Sequence, residues 1–463
     1  MNDLGAAGFE YRGLAGLRGP LAFLRGVSGA AYQEHVEVLS DDGPPRVGRV
    51  LSVTGDAAVV EVFGGTEGLS LDGCRVRFHG RPLRLGVGRE LLGRVFDGLG
   101  RPRDGLPPPL ADEERPIEGT PLNPSRRAYP RDFLETGISA VDALDSVVLG
   151  QKIPIFTEAG LPHHDLARQI IRQARAAAEG AADLVVVFAA LGLPRDAALP
   201  YDEDFRRSGA LGRTVAFLNL ADDPAPERLV TPRCALTAAE HLAFDLGMHV
   251  LVVLADMTSY GEALREVSSA RGEVPSRKGY PGYLYSDLAS IFERAGRIRD
   301  KPGSLTQIPI VTMPSGDLTH PIPDLTGYVT EGQIVLDRSL FRRGIYPPIS
   351  VLPSLSRLMD DGIGDGRTRD DHPALARQLY ASCARTARAR ALDAIIGRED
   401  LSDLDRRYLD FGDAFEKKLL NQGRGEHRPI ARTLDLAWEV LGELPESELV
   451  RIPRALLDRR RPK

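Results

Sequence analysis

The chain has 463 residues, 42% of them hydrophobic and 27% charged, with a formal net charge of −6. That length calls for two or three domains, each able to bury its own core. The acidic balance excludes a general binder of nucleic acid or anionic membranes, and the short basic end Arg459-Arg460-Arg461-Pro462-Lys463 does not overturn it. Cys74, Cys234 and Cys383 are odd in number and far apart, so they read as buried thiols of a reducing compartment and not as disulfides or metal ligands. Met1 to Pro20 is Gly-rich and interrupted by Arg12 and Arg18, unlike a secretory signal, and no run of about 18 apolar residues could cross a bilayer. A cytoplasmic protein is expected, with any membrane association made through partners.

Taken in chain order, the first predicted unit is residues 1–78. His35 to Leu39, Val47 to Leu51, Ala58 to Phe63 and Cys74 to Phe78 alternate apolar with polar residues and are separated by turn residues, which suggests a small antiparallel β-barrel. Leu106 to Pro130 carries Pro107, Pro108, Pro109, Pro116, Pro121, Pro124 and Pro130, a density that neither a long helix nor a central strand can absorb. It reads as an extended connection wrapped on the next domain, 79–360. There Leu184 to Phe188, Thr214 to Leu218, Val250 to Leu254 and Ile308 to Val311 are near-continuous apolar runs, with helical segments such as Pro226 to Phe244 and Ser286 to Ala295 between them. Strands buried on both faces with crossover helices make an open α/β sheet. From 361 to 463 the strand signals vanish. Leu375, Leu379, Leu392, Ile395, Ile396, then Leu404, Tyr408, Phe411, Phe415, then Leu434, Ala437, Trp438, Leu441 fall at helical spacing, the pattern of a small helical bundle.

Within the central unit, Ile153 to Phe156 leads through Thr157-Glu158-Ala159-Gly160-Leu161-Pro162-His163-His164 into a helical pattern carrying Leu166, Ile170 and Ala174. This is the strand, loop and helix setting of a G-x-x-x-x-G-K-[ST] phosphate loop. Thr157 and Pro162 stand in place of its glycines, and His163 and His164 in place of its Lys and Mg²⁺-binding hydroxyl. Pro162 has no N–H to offer a phosphate, neutral histidines supply no fixed cation, Glu158 adds negative charge, and Asp165 can satisfy the helix start internally. His163 and His164 lack a third ligand at recognisable spacing, so no metal is expected. The strand after this helix ends Phe188-Ala189-Ala190-Leu191-Gly192, without the carboxylate that would activate water. Asp256 ends an apolar strand as a Walker-B carboxylate does, but capping of the following turn is the better reading of an isolated Asp. Gly279 to Tyr285, rich in Gly, Pro and Tyr, reads equally as a packed loop.

Leu122-Asn123-Pro124, Gly150 to Phe156, Ala221-Asp222-Asp223-Pro224, Glu262 to Glu266, Gly279 to Tyr283, Thr319 to Tyr328 and Pro353-Ser354-Leu355-Ser356-Arg357-Leu358-Met359 run in order over nearly the whole chain. Together they resemble the B subunit of V/A-type rotary ATPases. The resemblance implies a multi-domain protein: an N-terminal β-barrel, a P-loop-type, RecA-like α/β domain with a degenerate phosphate loop, and a C-terminal helical bundle. It implies a non-catalytic regulatory subunit that alternates with catalytic A subunits in a three-plus-three ring, with contacts to central shaft and peripheral stalk and a place on the cytoplasmic face of the membrane. ATP or ADP with Mg²⁺ would sit at the interface, held mainly by the partner. The family's arginine finger falls on Arg357, with Ser354, Ser356 and Asp256 as further nucleotide-interface candidates. A guanidinium suits that task because it is always charged and offers forked donors to charge developing on a transferring phosphoryl group. Two rival readings are a self-sufficient hexameric motor, opposed by the residues at 163 and 164, and a scaffold severed from ATP, opposed by the presence of Arg357 and Asp256.

Overall fold

The computed structural model describes residues 9–41, 43–176, 184–364 and 366–460. The basic end at 461–463 lies outside them, as do residues 1–8. Seven strands form the N-terminal unit: β1 (Glu10–Arg12), β2 (Gly16–Arg18), β3 (Leu21–Leu24), β4 (Glu34–Ser40), β5 (Arg46–Thr54), β6 (Ala57–Val62) and β7 (Cys74–Pro82). They pair antiparallel in the order β1-β7-β4-β5-β6-β3-β2. Alternation decides the faces: Val36, Val38, Val50, Val60, Val76 and Phe78 point into one apolar core, so this is the expected β-barrel domain. Strand β7 continues to Pro82, past the boundary expected after Phe78.

The central unit is built on a ten-stranded sheet. Its main path uses β8 (Val95–Asp97), β9 (Ile155–Thr157), β10 (Leu184–Leu193), β11 (Thr214–Leu220), β12 (His249–Ala255), β13 (Ser304–Thr312), β14 (Gly332–Leu336) and β15 (Ile349–Ser356). The order is β15-β14-β9-β13-β12-β10-β11-β8, parallel throughout except for the antiparallel edge strand β15. Each of the four apolar runs read in the sequence is one of these strands. Helices α1 (Ser139–Leu144), α2 (His163–Gln173), α3 (Arg195–Ser208), α4 (Ala225–Glu240), α5 (Met257–Arg271), α6 (Leu284–Phe292), α7 (Pro321–Val329), α8 (Arg338–Arg342) and α9 (Met359–Gly362) belong to this part of the chain. Two apolar clusters, one containing Ile155 and Ile170 and the other Val187 and Leu236, fill the space beside the strands.

The proline-rich connection behaves as its composition requires. It supplies two short strands, Glu113–Pro116, which pairs with Arg84–Val87 outside the large sheet, and Arg127–Ala128, which pairs with Arg297 and Ile298 at the side of that sheet, and one tight turn at Pro124–Arg126. What fastens it is Arg294, fully buried, whose Nη1 donates to the Ile117 carbonyl at 3.1 Å while Nε and Nη2 grip Glu240 at 2.7 Å each. Gly119 makes room for this: its φ is +57°, and a Cβ there would lie 2.4 Å from the Arg294 guanidinium carbon.

The helical bundle comprises α10 (His372–Ile396), α11 (Asp403–Ala414), α12 (Ile430–Leu441) and α13 (Arg454–Arg460). Leu375, Leu379, Phe411, Leu434 and Leu441 are buried as their spacing predicts. The end of α10 departs from that expectation: Ile395 is 79% exposed and Ile396 46%, because the last turn runs beyond the packed part of the bundle.

Candidate functional site

Strand β9 delivers Thr157 to the start of a loop that ends in α2, so the predicted phosphate-loop frame is present. Gly160 has φ +82°, yet nothing lies within 4 Å of where its Cβ would be; the glycine serves a turn and not a close approach to a ligand. Pro162 caps α2 and offers no amide, and the His163 amide already donates to the Leu161 carbonyl at 2.9 Å. Thr157 is buried, with its Oγ1 donating to the Glu158 carbonyl and 3.3 Å from His163 Nδ1.

Two expectations about charge in this loop need correction. Glu158 is not a free negative charge, because Arg338 from α8 donates to its carboxylate at 2.8 Å and to the Ala159 carbonyl at 2.6 Å. Asp165 does not turn back on the helix start; it pairs with Arg168 and, at 3.0 Å, with Arg424. Arg338 carries no motif signal and was not legible as a loop residue.

The rings of His163 and His164 are in contact, their centres 4.1 Å apart and their planes tilted by 48°. Burial pushes both imidazoles below the ordinary range, His164 to about 3, so neither supplies the cation that a Lys would. Neither joins a cluster at metal-ligand spacing among the described residues. The adjoining cavity, about 360 Å³, is lined among others by Gly160, His163, His164, Leu191, Asp256 and Thr312. Where β10 passes it, Leu191, Gly192 and Leu193 present no carboxylate, as the sequence predicts. Asp256 caps α5, accepting from the Thr258 amide at 2.8 Å, and also from the Thr312 amide at 3.2 Å. Burial raises its carboxyl against the pull of these donors, which suits a cap better than a metal ligand.

The second candidate group lies elsewhere. Arg357 directly follows β15, its amide bound to the Glu331 carbonyl at 3.0 Å and its Nη1 3.3 Å from the Thr330 carbonyl. The side chain is exposed and, among the described residues, has no carboxylate partner; Glu331 spends its own on Lys152. Ser354 and Ser356 were expected to share a nucleotide-facing surface with it, but strand alternation turns both hydroxyls inward. Ser354 Oγ bonds the Ser350 carbonyl and the Val335 amide; Ser356 Oγ donates to the Ser146 carbonyl and accepts from Gln151. Register separates Arg357 from the chain's own loop. Thr157 sits at the level of the end of β14, whereas Ser356 pairs with Gly332 at its beginning, which places Arg357 about 15 Å away along the strands.

A RecA-like domain between a β-barrel and a helical domain, with its phosphate loop stripped of cation and general base, defines a member of the ATP synthase α/β class that is not itself catalytic. Residues 17–80 match the ATP synthase alpha/beta family, beta-barrel domain; residues 137–356 match that family's nucleotide-binding domain; residues 361–461 match the C-terminal domain of V and A type ATP synthase. The B subunit of an A-type ATP synthase from Aeropyrum pernix is 57% identical over 98% of each chain. A V-type ATP synthase beta chain from Halothermothrix orenii is 55% identical over 96% of each. A solved structure described as a unique ATP synthase subunit, NeqB, from Nanoarcheaum equitans superposes with a TM-score of 0.73 at 35% identity, covering 92% of this chain and all of that one. The chain belongs to the B-subunit family of V/A-type ATP synthases, and its role there is regulatory and non-catalytic. Among the described residues no helix is long and apolar enough to cross a membrane.

Proposed function

We infer that this chain supplies Arg357 as an arginine finger to ATP held by the catalytic A subunit next to it in an alternating three-plus-three ring. Nucleotide and Mg²⁺ rest mainly on that partner. The ring works with a central shaft and a peripheral stalk on the cytoplasmic face of the membrane, and couples hydrolysis or synthesis of ATP to ion transport through the membrane sector. The observation that carries this reading is the position of Arg357: exposed, free of a carboxylate partner among the described residues, and at the opposite end of the strands from its own loop. A guanidinium so placed cannot serve the cavity beside His163, but it can reach a phosphoryl group held by a neighbour across the ring interface. Ser354 and Ser356 then act as positioning residues, since their buried hydroxyls fix the strand from which Arg357 projects.

The test is steady-state hydrolysis by rings reconstituted with catalytic A subunits. Arg357→Ala should leave assembly intact by size and lower turnover by a factor on the order of 10³ or more. Arg357→Lys should rescue poorly, because a point charge cannot reproduce the planar fork. Nucleotide affinity should change far less than turnover, since the finger acts on charge that develops in the transition state. Assembled Arg357→Ala rings working near the wild-type rate would remove the residue from the mechanism.

A further inference from the structure

The face of the N-terminal sheet turned away from its apolar core carries two histidines that the nucleotide chemistry does not use. His35 stands on β4 and His79 on the neighbouring β7, in a register that sets Val36 opposite Phe78 and Glu37 opposite Arg77. Residues two apart in a strand share a face, so His35 and Glu37 come together with His79 on the side opposite Val36 and Phe78. The imidazoles lie nearly parallel, their centres 4.2 Å apart and their planes at 8°, so one ring must turn out of the stack for both nitrogens to face a single ion. One ligand atom from each of His35, Glu37 and His79 falls within 4.8 Å of the others, and His79 Nε2 is 3.4 Å from Glu37 Oε2.

Packing alone would account for stacked rings, but not for what their nitrogens do. Nε2 of His35 and Nε2 of His79 are both shielded from water and have no hydrogen-bond partner. Buried polar atoms are normally satisfied, so two unbonded ring nitrogens on one face call for an explanation. We propose that His35, His79 and Glu37 form a binding site for a divalent transition ion of the Zn²⁺ type, two imidazole nitrogens and one carboxylate oxygen with water completing the shell. This donor set suits Zn²⁺ or Co²⁺ and is poor for Mg²⁺ or Ca²⁺, which take oxygen. The partial exposure of all three residues leaves an entry path.

Neighbouring cations do not close the site. Arg77 reaches Glu37 Oε2 at 3.2 Å but makes its shorter bonds, 2.7 and 2.9 Å, to Glu10, so it can release that oxygen. Arg81 is engaged with Glu114 at 3.0 Å. The contrast is with Glu113, His241 and Asp245, the other group of similar spacing among the described residues, where Arg115 and Lys301 already occupy the cation's place. Such a site goes against the sequence expectation that the chain holds no metal, and it would tie β4 to β7 beside the irregularity between Glu34 and Val36.

The test uses the full-length chain, freed of metal by chelator and titrated with Zn²⁺ by calorimetry and with Co²⁺ by visible absorption. One equivalent should bind, Co²⁺ should develop a ligand-field band, and Zn²⁺ should raise the melting temperature. His35→Ala and His79→Ala should each weaken binding by more than about 100-fold, beyond the cost of losing an outer partner. Glu37→Gln, which keeps the shape of the face, should weaken it while circular dichroism stays unchanged. His241→Ala and the pair His163→Ala/His164→Ala should bind as wild type. Absence of a stoichiometric Co²⁺ band, or binding that survives in His35→Ala/His79→Ala, would overturn the proposal.

Discussion

His372 is held by two bonds of opposite sense. The Ala143 carbonyl can only accept, so Nε2, 3.2 Å away, carries the proton; Nδ1 then accepts from the Thr368 hydroxyl at 3.1 Å. The Thr368 bond requires the neutral ring, and although the Ala143 bond would tolerate the charged one, burial dominates and pushes the pKa from 6.5 down to about 4. As pH falls below 6.5 the unfolded chain takes up a proton that the folded chain refuses until about 4, so stability is lost through that window. The difference is worth about 3 kcal/mol. Chemical denaturation of wild type and His372→Gln between about pH 7 and 4 checks it. The wild type should lose more stability over that range, by up to this amount, and parallel curves would contradict the assignment. Of the site residues, the sequence revealed those that break a motif, such as Pro162, His163 and the missing carboxylate near Leu191. It could not reveal Arg338, which reaches the loop from 180 residues away in the chain, nor that Ser354 and Ser356 face inward, because that depends on how β15 pairs.

Among the elements, α5 shows how a single side chain can join three of them. Asp256 ends β12, caps α5 through the Thr258 amide, and binds the Thr312 amide at the end of β13. Asp256→Ala should therefore destabilise the isolated chain by about 1–2 kcal/mol, whereas Asp256→Asn, which keeps the acceptor, should cost less. Urea unfolding without nucleotide measures this, and an unchanged midpoint for the Ala variant would deny the cap. Long apolar runs such as Val250 to Leu254 were legible because a doubly buried parallel strand has no polar face to disguise it. Strands β1, β2 and β3 were not, since three or four residues set among glycines carry too little periodicity. The exposed end of α10 misleads for the converse reason: Ile395 and Ile396 keep the helical spacing, and spacing alone does not say where the neighbouring helix stops.

For the molecule as a whole, the loop, the cavity and β10 all lack what hydrolysis needs, and they lack it independently. The purified chain should show no Mg²⁺-dependent ATP turnover above background. His163→Lys with His164→Thr should not create it, because Pro162 still withholds an amide and no general base is supplied. Hydrolysis by either protein alone, surviving removal of contaminating ATPases, would refute this account of the loop. The pairing of Gly332 with Ser356 also bears on the reach of Arg357. At Gly332, φ is +144° and a Cβ would stand 2.2 Å from the Leu355 carbonyl oxygen. The edge strand is thus docked main chain to main chain, and Arg357, one residue beyond it, takes its offset from backbone dimensions that are the same whatever side chains surround them. The guanidinium projects from a fixed datum, so sequence drift over the rest of this surface can proceed without altering how far the residue reaches.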